Sequence, residues 1–374
     1  MERLNLSIFR WNIGGRCLKV KFRDRVLYAL ERREDKLDHI PIHDSPWNAT
    51  VDRWRREGMP SWISPADYFG YHIAIFSPDL SPQLPIEVIY EDEEYIIERD
   101  PYGAIRRNHR DYSTTPELID WPCKSRDDWE KLKVMLKPSE RRVDWVTALR
   151  EYHRAVSRGR FVMYGASVGF DEAQHYVRTD HLLKAIIKEP DWVVDIYRVN
   201  AKLVMDMCDI MMRGGFKFDG AFLYCDLGYR IGLFFSPRYY EDQLHPVFKE
   251  LCSFFKSRGM YVFLHSCGRV KDLIPYFIEE GIDVLQPLEV KAGMDLVELK
   301  EKYGDRIAFM GGIDVRLMAL DDLKPLEEEM KRKITVAKQG GGYIYHSDHS
   351  IPKNVSFDNY RKVIEYALRY GSYD

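Results

Sequence analysis

The stretch Val262-Phe263-Leu264-His265-Ser266-Cys267-Gly268 decides the fold once it is set beside Ile344-Tyr345-His346-Ser347-Asp348-His349. Each is a short apolar run of β-forming residues that stops abruptly at metal-ligand side chains. A His and a Cys two positions apart, with Gly directly after, suit a strand end that turns sharply. Imidazole and thiolate are a ligand pair that Zn2+ favours. Two strand ends of this kind point to a metal site at the mouth of an α/β barrel, and so to an enzyme.

Outward from these runs the same pattern repeats. Phe161-Val162-Met163-Tyr164-Gly165, Gly220–Tyr224, Asp283-Val284-Leu285-Gln286 and Ile307–Gly312 are further short strands, and the second opening run starts at Gly342. Amphipathic stretches predict helices over 126–136, 139–158, 171–187, 190–213, 237–258, 270–280, 294–303, 322–338 and 356–370. The segment His39-Ile40-Pro41-Ile42-His43-Asp44 reads as a first strand, preceded by a charged helical region with Val26, Leu27 and Leu30 on one face. Strands alternating with helices argue for parallel βα units. Seven such strands, or eight with one unseen, predict an α/β fold of the (β/α)8 TIM-barrel class, with residues 1–374 as a single domain. The aromatic-rich stretch 45–125 reads as an insertion or lid holding a helical piece and a β-meander around Glu87–Arg110.

In such a barrel the C-terminal strand ends share one face. That brings Asp44, Ser167, Asp226, His265, Cys267, Gln286, Glu289, Asp314, His346, Asp348 and His349 to the mouth. Trp47, directly after a strand end, is expected to wall a substrate there. The other aromatics of the insertion, Trp54, Trp62, Tyr68, Tyr71 and Phe76, read as packing by default, with a lid as the alternative.

Composition excludes several classes. Of 374 residues, 45% are hydrophobic and 31% charged, as in ordinary globular proteins, and the net charge is −3. Neither nucleic acid nor an anionic membrane is an expected partner without a basic footprint. Cys17, Cys123, Cys208, Cys225, Cys252 and Cys267 lack framework spacing, so a reducing cytoplasm is the expected location. Met1–Phe22 has basic residues and no uninterrupted apolar run, unlike a signal peptide.

From about residue 160 to 371 the chain resembles the uroporphyrinogen decarboxylase superfamily, and within it the corrinoid-dependent methyltransferase branch. The resemblance rests on an ordered series. Gly165-Ala166-Ser167-Val168-Gly169-Phe170-Asp171-Glu172 comes first, then Asp226-Leu227-Gly228 and Phe235-Ser236-Pro237-Arg238-Tyr239-Tyr240. His265-Ser266-Cys267-Gly268, Gln286-Pro287-Leu288-Glu289, Gly311-Gly312-Ile313-Asp314 and Ile351-Pro352 follow. Two departures stand out. True decarboxylases of this superfamily carry an arginine-rich N-terminal signature for the porphyrinogen carboxylates. Here that strand reads Ile40-Pro41-Ile42-His43-Asp44-Ser45-Pro46-Trp47, without arginine, which disfavours an octa-anionic substrate. The methyltransferase branch places a distant Cys before Ile-Pro. Here His349 holds that place.

The resemblance implies zinc held by His265, Cys267 and His349, with Glu289, Asp348 or His346 as a fourth ligand. Asp226 and Asp44 are the acidic candidates for catalysis, Asp226 also as an orienter of a ligand imidazole. Ser167, Gln286 and Asp314 are candidates for substrate contact. The implied reaction moves a methyl group between a small O- or N-methyl donor, or a methylated carrier, and the corrinoid of a partner protein. A metal-free decarboxylase or lyase of a smaller acid, and a non-catalytic binding barrel, are the alternatives. The methyl donor and the oligomeric state are not legible in the sequence.

Overall fold

The computed structural model describes residues 20–110 and 116–373. The expected helical character before residue 20, and Cys17, lie outside them. Parallel strands Ile73–Phe76, Phe161–Ser167, Gly220–Tyr224, Tyr261–His265, Val284–Gln286, Ala308–Met310 and Tyr343–Ile344 form one curled seven-stranded sheet in that order. Helices on its outer side include Pro190–Arg213, His245–Lys256, Lys324–Ala337 and Phe357–Gly371. The architecture is a TIM-barrel-like α/β fold.

The two edges of this sheet meet across residues 40–43. Tyr345 N–H donates to Pro41 O (2.8 Å), His43 N–H to Tyr345 O (3.0 Å) and His72 N–H to Ile42 O (2.8 Å). The expected first strand is therefore only a pair of bridges, since Pro41 has no N–H to offer a ladder. The unseen eighth strand is Ile73–Phe76, inside the stretch read as an insertion, where it pairs in parallel with Phe161–Tyr164. Four uninterrupted apolar residues beside an aromatic-rich helical piece give no period by which to tell a buried strand from a helix. Beyond that strand, Glu87–Glu91, Tyr95–Arg99, Ile105–His109 and Glu117–Asp120 form the expected meander, an antiparallel four-stranded sheet.

Period-two alternation fills the barrel. Ile73, Phe161, Met163, Phe222, Phe263, Val284, Ala308, Met310 and Ile344 form one inner cluster, joined by Val26 and Leu30 of the helix Phe22–Leu30. Their neighbours Val162, Tyr164, Ala221, Leu223, Val262, Leu264, Leu285, Phe309 and Tyr343 pack outward against the helices. The same parity carried one step further places Ser167, Tyr224, His265, Gln286 and His346 in an inward-facing layer at the C-terminal strand ends. Among the described residues, no helix is long and apolar enough to cross a membrane.

Most insertion aromatics are packing residues. Trp54 is fully buried and stacks on Tyr360 (4.7 Å between rings), and Phe69 meets the same ring edge-on. Phe76 packs on Phe216, and Trp62 is open to solvent.

Candidate metal centre

His265 is the last residue of its strand, and its backbone is held between two neighbours. Cys225 N–H donates to His265 O (2.9 Å), and Ser266 N–H donates to Gln286 O (2.8 Å). The chain then turns through Gly268 at φ +80, a conformation that L side chains avoid. Three further bonds fix the turn. Ser266 Oγ accepts from Leu227 N–H (3.0 Å), Cys267 N–H donates to Asp226 Oδ1 (2.8 Å), and Gly268 N–H donates to Glu289 Oε2 (2.7 Å).

This frame brings Asp226, His265 and Cys267 together, with one ligand atom from each lying within 4.8 Å of the others. His265 Nε2 is 3.5 Å from Cys267 Sγ and 3.5 Å from Asp226 Oδ1. The other ring nitrogen, Nδ1, donates to Gln286 Oε1 at 2.5 Å. That bond puts the proton on Nδ1 and leaves the Nε2 lone pair facing the thiol and the carboxylate, as a metal ligand requires. Burial holds the His265 imidazole below its ordinary pKa, against the opposing pull of Asp226. Burial, and after it the carboxylates of Asp226 and Glu289, pushes the Cys267 thiol upward. A divalent cation between them offsets both penalties, so the nitrogen, sulfur and oxygen donor set fits zinc.

The structure gathers a donor cluster that overlaps the expected ligand set. His265 and Cys267 belong to it, and Asp226 joins them as the third member. His349 is not one of the three: its Nδ1 meets Ser350 O (3.3 Å), its ring packs against Trp47 at 6.1 Å, and it is near enough to act electrostatically on the His265 ring. Glu289 is also outside, because one oxygen accepts from Gly268 and the other pairs with Lys291 (2.8 Å). Asp348 accepts from Val290 and Val315 N–H, both at 2.9 Å, and so ties two loops together. His346 Nδ1 bonds Ser347 O (2.6 Å).

The remaining candidates divide in the same way. Asp44 is buried under four donors: Ser347 Oγ (2.5 Å), Ser45 N–H (3.0 Å), Tyr360 OH (3.0 Å) and Tyr345 OH (3.3 Å). It ties the closing helix to the mouth through Tyr360 and lies 3.6 Å from His346 Nδ1. Asp314 is chelated by Arg316, with Nη2 at 2.6 Å. Gln286 holds His265 and so orients a ligand. Ser167 stands at the mouth, and Trp47 is partly exposed beside His349.

The mouth also holds groups that sequence reasoning passed over. Asp171 and Glu172 begin the helix Gly169–Tyr176, and burial raises each carboxyl to about 7. Glu172 is fully buried, accepting from Tyr176 OH (2.7 Å) and Tyr102 OH (3.4 Å). The meander delivers Tyr102, whose ring stacks on His175 at 4.4 Å. Asp171-Glu172 followed a strand and closed the first segment of the family resemblance, and neither feature marked them as site residues. Tyr102 sits on a turn and had none.

The Glu172 shift has a stability consequence. Its folded carboxyl holds its proton up to about pH 7, against an ordinary 4.5. Between those values the unfolded chain is the more ionised, so folding loses stability as pH rises through the window. The full cost, roughly 3 kcal/mol, applies above pH 7. Glu172→Gln is expected to raise the melting temperature at pH 8 and to leave it unchanged at pH 4. An equal effect at both values in a thermal scan would refute the shift.

A family model described as uroporphyrinogen decarboxylase (URO-D) matches residues 109–370. Among solved structures, a methyltransferase from Methanosarcina mazei superposes with a TM-score of 0.63 at 15% identity, over 94% of this chain and 99% of that one. A sugar phosphate isomerase/epimerase from Parabacteroides distasonis reaches 0.36 at 10% identity, covering 90% of this chain and 94% of the other. A search of curated proteins found no match.

Proposed function

The chain belongs to the uroporphyrinogen decarboxylase family, and on that basis we propose that it is a methyltransferase of this family with zinc at its barrel mouth. It moves a methyl group between a small O- or N-methyl donor, or a methylated carrier, and a corrinoid protein. The observation that carries this reading is the convergence of Asp226, His265 and Cys267 within 4.8 Å, with His265 already held in its ligand tautomer. The Methanosarcina mazei methyltransferase adds support as a relative in fold.

When bound, zinc supplies a Lewis acid for the heteroatom that gives up the methyl group. The corrinoid of the partner supplies the nucleophile. Everything else falls to the chain. Gln286 fixes the His265 ring. Asp226 accepts the Cys267 N–H and so locks two ligands to one another. Trp47 and His349 wall the mouth on the side of the closing segment. The contribution is positioning, which is how a barrel lowers a displacement barrier.

Elemental analysis of the purified chain tests the metal. The expected result is about one zinc per chain, with affinity lowered 10- to 100-fold in Gln286→Leu, the usual cost of losing a ligand's orienter. Full methyl transfer by a rigorously metal-free chain overturns the zinc assignment.

A further inference from the structure

Beside the metal centre lies a separate cavity of about 230 Å3. Ser77, Asp79, Tyr102, Ser167, Glu172 and Tyr224 are among its lining residues. It adjoins the centre through Tyr224, whose ring is 5.4 Å from that of His265. Gly165 keeps it narrow at its floor, where a Cβ would lie 2.5 Å from Ser77 Oγ.

The wall is acidic and aromatic. Glu172 is completely enclosed, and its bonding partners are tyrosine hydroxyls; no cation pairs with it among the described residues. Asp79 accepts from Ser81 and Gln83 side chains, again without an ion pair. Arg142, which packs behind Asp79, spends its donors on the main-chain carbonyls of Lys137, Asp79, Ser81 and Met135. The Ser167 hydroxyl is buried beside the Asp171 and Glu172 carboxyls. A buried carboxyl, two tyrosine rings and a serine hydroxyl around one small space complement a cation, which gains from both carboxylate and ring faces.

We infer that this cavity is the subsite for a positively charged head group of the methyl donor, an ammonium held by the Glu172 carboxylate between Tyr102 and Tyr224. The inference rests on the methyl-transfer reading of the neighbouring centre. The charged head is anchored here while the methyl-bearing heteroatom reaches the metal ligands. It disfavours neutral aryl ethers and anionic donors as preferred substrates.

Calorimetry on the full chain, without added metal or corrinoid protein, tests the subsite with benzylammonium, benzyl alcohol and benzoate. Benzylammonium is expected to bind at least about tenfold more tightly than benzyl alcohol, a fair return for one charge-assisted bond to a buried carboxylate. Benzoate is expected to show no binding. Glu172→Gln is expected to abolish the preference for the amine. Tyr102→Leu, which keeps the carboxyl, is expected to weaken the amine while preserving its lead over the alcohol. Equal binding of amine and alcohol, or an unchanged preference in a folded Glu172→Gln protein, overturns the subsite. Should that variant fail to fold, unchanged amine affinity in Tyr102→Leu overturns it. Amine binding without methyl transfer retains the subsite and removes the activity. Methyl transfer from neutral donors with no amine preference does the reverse.

Discussion

Replacing Cys267 by alanine is expected to leave a folded barrel that has lost its metal and nearly all methyl transfer. The side chain is small and lies past the strand end, so its removal opens no large core cavity. The strand, the Cys267 N–H bond to Asp226 and the Gly268 N–H bond to Glu289 are all backbone features that alanine keeps. The metal loses its soft anionic donor, leaving one imidazole and one carboxylate. Lewis-acid stabilisation of a departing heteroatom is worth several kcal/mol, so transfer is expected to fall on the order of a thousandfold or more. Metal analysis, circular dichroism and a transfer assay on the same preparation check it. A variant with wild-type transfer would remove Cys267 from the site.

The second large effect is structural. Gly268→Ala is expected to destabilise the chain by about 3 kcal/mol and to abolish metal binding. At φ +80 an alanine is strained. Its Cβ would also lie 2.2 Å from the Gly228 carbonyl carbon, 2.4 Å from its oxygen and 2.4 Å from Tyr229 N. Those are backbone atoms of the turn that carries Asp226, so no side-chain rotation relieves the clash. The turn must open, and Asp226 separates from His265 and Cys267. A denaturant titration and a metal assay measure the two parts. A variant with unchanged stability and stoichiometric metal would show that the turn is softer than its contacts imply.

Much of the centre was readable in the chain because it is local. His265 and Cys267 sit two residues apart on a strand end, and the strand's alternation fixes which faces the mouth. Asp226 was also visible as an acidic residue after a strand. Its membership in the ligand group was not, because that depends on the Cys267 N–H reaching across to its oxygen. His349 looked equivalent in register to a ligand, but a ring on a loop is aimed by its neighbours. Here Ser350 and Trp47 are the neighbours that its ring meets. The surroundings of Asp44 were hidden for a related reason: the hydroxyls that bond it come from residues some three hundred positions later.

Sequence by itself determined the repeating strand and helix units, the polar residues at the strand ends and the His-x-Cys-Gly turn. Those follow from hydrophobic period and backbone preference, which act over a few residues. Only the tertiary structure decided how residues 40–43 and Ile73–Phe76 complete the ring, which carboxylate joins His265 and Cys267, and that Tyr102 from the meander closes a cavity over Glu172. Each of these depends on atoms distant in the chain meeting at one point, and no local preference encodes such a meeting.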